Sequence, residues 1–340
     1  MRIHKLQTTD AFVAIDLAGA EAASGPIRWA KKILQGGAKD LARTQTYTYA
    51  ALGMRHSGAS GGISAPPENR GDAIAAFIEE GSALVAERTY LPDAAKGIGA
   101  AELAALRRDD PRDLTRDESF LRRCDGQSIA VAAHQAVGLE GKTVAIEGFD
   151  ETGMWIADAV AGRGGRVIAL STTAGSTRDR DGFALSELRD AHAEHGDDVV
   201  TAIGTHGAAT GVFDAGADVV FAGSKVGVID HVVARRLAEC AAVVPNGRLP
   251  LTARALAELR KAGVETPADF VALAGRTIVA WGDAERTDDE VLTDLRRSVG
   301  GLCNEVAGHE DGLFLGACYH AEAFLSSWQD ELPFGRPLAA

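Results

Sequence analysis

The 340-residue chain has the length of about two domains, each large enough to bury its own core. Hydrophobic residues make up 46% and charged residues 24%, and the formal net charge of −13 excludes the concentrated Lys and Arg that nucleic acid or an anionic membrane requires. The four cysteines, Cys124, Cys240, Cys303 and Cys318, form no close pair, which argues against a disulfide or zinc framework and for a reduced, cytoplasmic setting. No apolar run approaches the roughly 18 residues that span a bilayer, and Met1 to Lys5 leads into no signal-peptide core.

Taken in chain order, Ala11 to Ile15 reads as a short strand. Arg28 to Leu34 fits a strand or a helix equally well by periodicity. A helix is predicted from about Ala73 to Glu87, with Ile74, Phe77, Ile78, Leu84 and Val85 on one side, and Pro92 marks a break after it. The charged stretch Arg107 to Asp117 reads as a solvated connection or helix end.

From about Ser128 the pattern becomes a regular α/β alternation. A helix (Ser128 to Val137) leads to a strand at Thr143 to Glu147, then a glycine turn, a helix (Met154 to Arg163) and a strand at Arg166 to Leu170. Further strands are predicted at Asp198 to Ile203, Val219 to Phe221, Ala242 to Val244 and Thr277 to Ala280. Short apolar runs bounded by glycine and separated by helices indicate a buried parallel sheet. Asp288 to Trp328 reads as helical.

The turn after the first of these strands is Gly148-Phe149-Asp150-Glu151-Thr152-Gly153. A dinucleotide site wants Gly-x-Gly-x-x-Gly here, and the first and third glycines, Gly148 and Gly153, are in place. The second is Asp150, whose carboxylate opposes a pyrophosphate and can itself cap the helix. The acidic residue that holds the ribose at the end of the second strand is also missing, since the segment runs Leu170-Ser171-Thr172-Thr173. That change fits NADP, with Arg178 and Arg180 nearby, or a fold kept as a scaffold without a dinucleotide.

An ordered series of segments resembles the glutamate/leucine/phenylalanine/valine dehydrogenase family. Gly58-Ala59-Ser60-Gly61-Gly62-Ile63 is similar to its glycine-rich active-site turn, and Lys142 to Phe149 to the opening of its nucleotide domain. Asp218 to Ile229, Pro245-Asn246-Gly247 with Ala253 to Lys261, and Pro267 to Trp281 resemble later family segments in the same order. The resemblance implies an α/β chain in two domains: an N-terminal mixed α/β assembly domain (1–128, rejoined by 286–340) and a Rossmann-like doubly wound nucleotide-binding domain (129–285). It implies hydride transfer to NAD or NADP, with NADP favoured, a homo-oligomer, and a ligand site in the cleft between domains.

The family works with two lysines and an aspartate. One lysine falls on Ser60, the other near Thr48, and the aspartate on Asp93. The family's nicotinamide-contacting threonine becomes Asp125, and its Asn-Ala-Gly-Gly becomes Leu273-Ala274-Gly275-Arg276. Serine has no usable pKa near neutrality, so ordinary oxidative deamination is not expected. The candidate catalytic residues are Asp93, Ser60 and Lys225; the candidate cofactor contacts are Gly148, Asp150, Thr152, Gly153, Ser171, Thr172, Ser224 and Asn246. Lys96, Arg276, His56 and His206 are further polar residues of interest, and no metal is expected. Two functions remain open: a divergent NAD(P)-dependent oxidoreductase acting on a small amine or carbonyl compound other than a standard α-amino acid, or an inactive paralogue. The latter would bind a small-molecule substrate or effector, or assemble with an active dehydrogenase and regulate it.

Overall fold

A computed structural model describes residues 1–339. The chain divides into two compact units, Met1–Leu114 with His320–Pro337, and Thr115–Tyr319 with the terminal residues from Leu338.

The first unit is built on a five-stranded mixed sheet. Its strands are β1 (Arg2–Lys5), β2 (Ala11–Ile15), β3 (Ala23–Ala30), β4 (Ser57–Ser64) and β5 (Leu91–Ala94), in the order β1-β2-β4-β3-β5. Helix α1 (Gln35–Ala51) precedes β4 and α2 (Arg70–Ala86) follows it. Arg28, left open between helix and strand, lies in β3.

The glycine run is where the structure departs from a turn. Ser57–Ser64 is an extended, almost fully buried strand, paired antiparallel to β2 and parallel to β3. The glycines serve packing. A Cβ on Gly58 would lie 1.8 Å from the Ala42 carbonyl oxygen of α1, and one on Gly61 2.3 Å from Ile27 Cδ1. The missing side chain at Gly58 lets α1 lie directly on the sheet, with Thr46 Oγ1 accepting from the Gly58 amide at 2.9 Å. The C-terminal segment is held by Glu322, which accepts from Tyr47 Oη and from Arg336.

The second unit carries α3 (Glu118–Val137), β6 (Thr143–Glu147), α4 (Glu151–Ala161), β7 (Arg166–Thr172), β8 (Gly175–Arg178), α5 (Leu185–His195), α6 (Val199–Ala202), β9 (Thr205–Gly207) and β10 (Val219–Ala222). These are followed by α7 (His231–Arg236), β11 (Ala242–Pro245), α8 (Ala253–Lys261), α9 (Asp269–Ala272), α10 (Gly275–Ala280) and α11 (Asp288–Val306); α12 (Gly312–Leu325) begins in this unit, and its residues from His320 belong to the first. The sheet order is β11-β10-β6-β7-β8-β9; the first four strands are parallel and β8 and β9 add antiparallel. One apolar cluster, including Ile129, Val144, Ile146, Ile156 and Leu170, fills one face; another, including Ala145, Val220, Leu251 and Leu259, fills the other.

Two predicted strands are helical instead. Asp198 to Ile203 contains a 3-10 turn and α6, and Thr277 to Ala280 lies in α10, where Val279 packs with Phe120 and Cys124 of α3. Short apolar runs carry no period that separates the two states. Helix α3 starts ten residues before the expected Ser128, capped by Asp117, whose carboxylate accepts from the Phe120 amide at 2.8 Å. Helix α11 packs on α3.

The packing of α1 on β4 sets a direct expectation. Gly58→Ala should lower stability by about 2–4 kcal/mol, because backbone must move to admit one methyl group. Chemical denaturation measures this, and a loss below ~0.5 kcal/mol would refute the close-contact account.

Candidate functional site

Two groups of polar residues stand out, one in each unit. In the first, strand register places Ser60 level with Pro26, between the pairs Ser24↔Gly58 and Ile27↔Gly61. On the other side of β3, Pro26 pairs with Asp93. Partners opposite one another share a face, so Ser24, Arg28, Ser60 and Asp93 share one face of the sheet. The structure thus brings together the predicted Ser60 and Asp93.

Their surroundings differ from the sequence reading in two respects. Arg112, from the stretch read as solvated, is buried. It donates to Asp93 Oδ1 at 2.6 Å, to Asp110 Oδ2 at 2.8 Å and to the Pro92 carbonyl. Burial of a guanidinium is tolerable only with such partners. Thr48 turns its hydroxyl back to the Thr44 carbonyl along α1, and it is the next residue, Tyr49, whose hydroxyl meets that of Ser24. Ser60 itself is fully buried and its Oγ donates to the Pro26 carbonyl at 3.3 Å.

Arg28 was missed as a site residue. It is partly buried, its Nε has no hydrogen-bond partner, and burial holds its pKa below the ordinary arginine range. Strands β2 to β5 contribute no lysine. The signal available beforehand was a lone cation within an apolar stretch, Pro26-Ile27-Arg28-Trp29, once that stretch is read as a strand.

His56 packs edge-on against Tyr49 at 5.2 Å, and burial lowers its pKa, so it is neutral at pH 7. Lys96 is exposed.

In the second unit the strand order reverses direction at β6, between β7 and β10. Crevices at the carboxyl ends of such strands are where open α/β sheets bind ligands. Gly148 takes φ +74°, a left-handed conformation that suits glycine, and a Cβ there would lie 2.7 Å from Ser224 Cβ. Gly223 and Gly247 approach equally closely, a Cβ on Gly223 falling 2.1 Å from the Gly247 nitrogen.

The buried Glu147, at the last position of β6, was not singled out from sequence. Its Oε2 accepts from the amides of Gly223 and Ser224, both at 3.0 Å, and its Oε1 from Ser224 Oγ. Its backbone carbonyl accepts from Asn246 Nδ2 at 2.9 Å, while Asn246 Oδ1 is buried without a partner. Asp150 stands at the N-cap of α4, its Oδ1 accepting from the Gly153 amide at 3.0 Å. Arg122 of α3 lies 3.7 Å from Asp150 Oδ2 and 3.2 Å from Glu151, and its Nη1 is 3.5 Å from Thr152 Oγ1. Ser171 is buried and its carbonyl accepts from the Phe149 amide; Thr172 Oγ1 donates to the Asp197 carbonyl at 2.5 Å. Lys225 is exposed in the loop after β10, and His206 is exposed on β9 with Nδ1 3.2 Å from the Val200 carbonyl.

Asp125 and Arg276 form a pair. Arg276 Nε donates to Asp125 Oδ2 at 2.5 Å, and its Nη atoms reach Glu118 at 2.8 and 3.1 Å. Burial pushes the Asp125 carboxyl above the usual carboxylate range, with Arg276 pulling the other way. Nearby, Asp269 accepts from the Leu249 amide at 2.8 Å, which holds Leu249 at φ +53°, and burial raises its carboxyl to about 6.

These units are those of an amino-acid dehydrogenase fold: a mixed sheet with a glycine-rich strand, and a Rossmann-like sheet with a glycine turn after its first strand. A sequence profile of the Glutamate/Leucine/Phenylalanine/Valine dehydrogenase family matches residues 127–305, more than half of the chain, and the chain belongs to that family. Among solved structures it is similar to a hetero-hexameric glutamate dehydrogenase from Thermus thermophilus in a Leu-bound form. That match has 20% identity and a TM-score of 0.77, covering 94% of this chain and 84% of that one. It is also similar to glutamate dehydrogenase 2 of Plasmodium falciparum (15%, 0.74, covering 94% and 81%). A third likeness is to the glutamate dehydrogenase of Peptoniphilus asaccharolyticus (14%, 0.72, covering 94% and 87%). At these identities the likeness establishes the fold. No helix among the described residues is long and apolar enough to cross a membrane.

The family uses NAD(P). In this chain, the amides of Gly153, Gly223 and Ser224 are engaged by Asp150 and Glu147. A cradle already supplied with two carboxylates does not fit a pyrophosphate.

The Asp125–Arg276 pair yields a double-mutant test. Arg276→Ala should destabilise by about 2 kcal/mol, less than a fully buried pair because Arg276 is 41% exposed. Adding Asp125→Thr should recover at least half of that. Additive losses in the double variant would show the two residues to be independent.

Proposed function

We propose that this member of the amino-acid dehydrogenase family does not deaminate α-amino acids, and that it binds a small carboxylate-bearing metabolite at the sheet face of its first unit. The observation that carries the reading is the chemistry of the cations there. Both Arg28 and Arg112 are guanidinium groups, which stay protonated and recognise carboxylates in a fixed fork but do not move protons. Arg112 is consumed by Asp93 and Asp110, while Arg28 keeps a buried Nε without a partner. Ser60 can hydrogen-bond but has no proton-transfer capacity near neutrality. The set of groups supports recognition without deamination.

A binder of this kind acts as an effector-sensing or regulatory chain, as a homo-oligomer or in a hetero-assembly with an active dehydrogenase. The hetero-hexameric state of the Thermus thermophilus enzyme is a precedent within the fold. The second reading is an NAD(P)-dependent oxidoreductase, with NADP preferred, acting on a small amine or carbonyl compound. The glycine geometry at Gly148 and the Asn246 contact to the β6 end favour it, with Asp93, Ser60 and Lys225 as its reactive groups.

A panel of amino acids and 2-oxo acids separates the two. The binder is expected to show thermal stabilisation by one or more carboxylates, lost by about 10-fold or more in affinity in Arg28→Ala, with no reduction or oxidation of NAD(P)(H). Turnover of any panel member would establish the oxidoreductase instead.

A further inference from the structure

We infer that the nucleotide cradle of the second unit is completed by the chain's own carboxylates, and that the chain therefore takes up neither NAD nor NADP. This stands apart from the carboxylate reading of the first unit, since it concerns different residues.

A helix N-terminus and the strand-end amides beside it attract a diphosphate because their N–H groups lack partners. Here three of them, those of Gly153, Gly223 and Ser224, are partnered. At α4, Asp150 places a carboxylate oxygen on the Gly153 amide from the N-cap position. Across the switch point, Glu147 accepts two backbone amides and a hydroxyl from Gly223 and Ser224. The two acids come from opposite ends of one four-residue segment, Glu147 to Asp150, so a single turn presents negative charge to both sides of the crevice.

The cation nearby is also committed. Arg122 lies between Glu118, Asp150 and Glu151, within 3.2 to 3.7 Å of each. A diphosphate entering this turn would displace two bound carboxylates or sit beside them; Glu147 is buried, while Asp150 is 57% exposed, so its repulsion of the phosphates is screened by water and acts together with the loss of the Gly153 amide. At the far end the cations are the exposed Arg178 and Arg180, which leave the diphosphate turn itself uncompensated. The end of β7 has no acid for a ribose diol, and the Thr172 and Thr173 hydroxyls are bonded to Asp197.

Asp150 is the exposed one of the two acids and the one that stands where the fingerprint has its second glycine, so its share of the block is reversible by substitution while Glu147 stays in place. Asp150 holds φ −142°, ψ −161°, so glycine is not needed there for backbone reasons and Asp150→Gly is sterically permitted. NADH and NADPH are each titrated by nucleotide fluorescence against the full chain, its Asp150→Gly variant, and Asp150→Asn, which keeps a cap while removing charge. The wild-type chain is expected to show no saturable binding at micromolar concentrations. Asp150→Gly is expected to bind one of the nucleotides about 100-fold more tightly than wild type, and Asp150→Asn to gain less.

Micromolar binding of either nucleotide by the wild-type chain overturns the inference. So does a folded Asp150→Gly variant, with unchanged circular dichroism, that binds no better than wild type. Should Asp150→Gly fail to fold, the wild-type and Asp150→Asn titrations decide the matter. Carboxylate-induced stabilisation read on Arg28 is measured separately, so failure of either reading leaves the other standing.

Discussion

The carboxylate of Glu147 fixes the carboxyl ends of the second sheet. Buried backbone amides must find partners, and at the ends of parallel strands ladder bonding stops. In a nucleotide-binding sheet part of that demand is left for the ligand. Here Glu147 meets it for the loop after β10, while its own carbonyl takes the Asn246 amide from the end of β11. Three strand ends are thereby tied to one residue. The near contacts of Gly148 with Ser224 and of Gly223 with Gly247 are the steric counterpart of that tie.

The same self-sufficiency recurs elsewhere in the chain. Asp125 and Arg276 neutralise one another. Asp93 is held by Arg112, which Asp110 also binds. Charges introduced into low-dielectric surroundings are costly unless paired, so each such charge makes sense only with its partner. Arg28 is the exception. Its Nε has no partner within the chain, and so it is the group that speaks most directly for an external anion.

Much of the architecture was legible beforehand because the strands are short apolar runs bounded by glycine. Ala11–Ile15 and Thr143–Glu147 have the bounds read from sequence. The Asp150 cap was also legible, since an N-cap aspartate is a local arrangement. What failed was non-local. Thr277 to Ala280 has strand-like residues, and only the packing of Val279 onto α3 makes it helical. Arg112 sits in a run of charges, and nothing local distinguishes the one that pairs with Asp93 and Asp110 inside the fold. The hydroxyl facing β3 belongs to Tyr49 and not Thr48 because helical phase, which sequence leaves uncertain by a residue, decides which side chain meets the sheet.

The central claim is that the amides of Gly153 at the start of α4 and of Gly223 and Ser224 after β10 are satisfied from within. Backbone hydrogen exchange at Gly153, Gly223 and Ser224 reads this directly, with and without NADPH at millimolar concentration. The account predicts slow exchange in the free chain that the nucleotide leaves unchanged. Fast exchange in the free chain that slows when NADPH is added would contradict it.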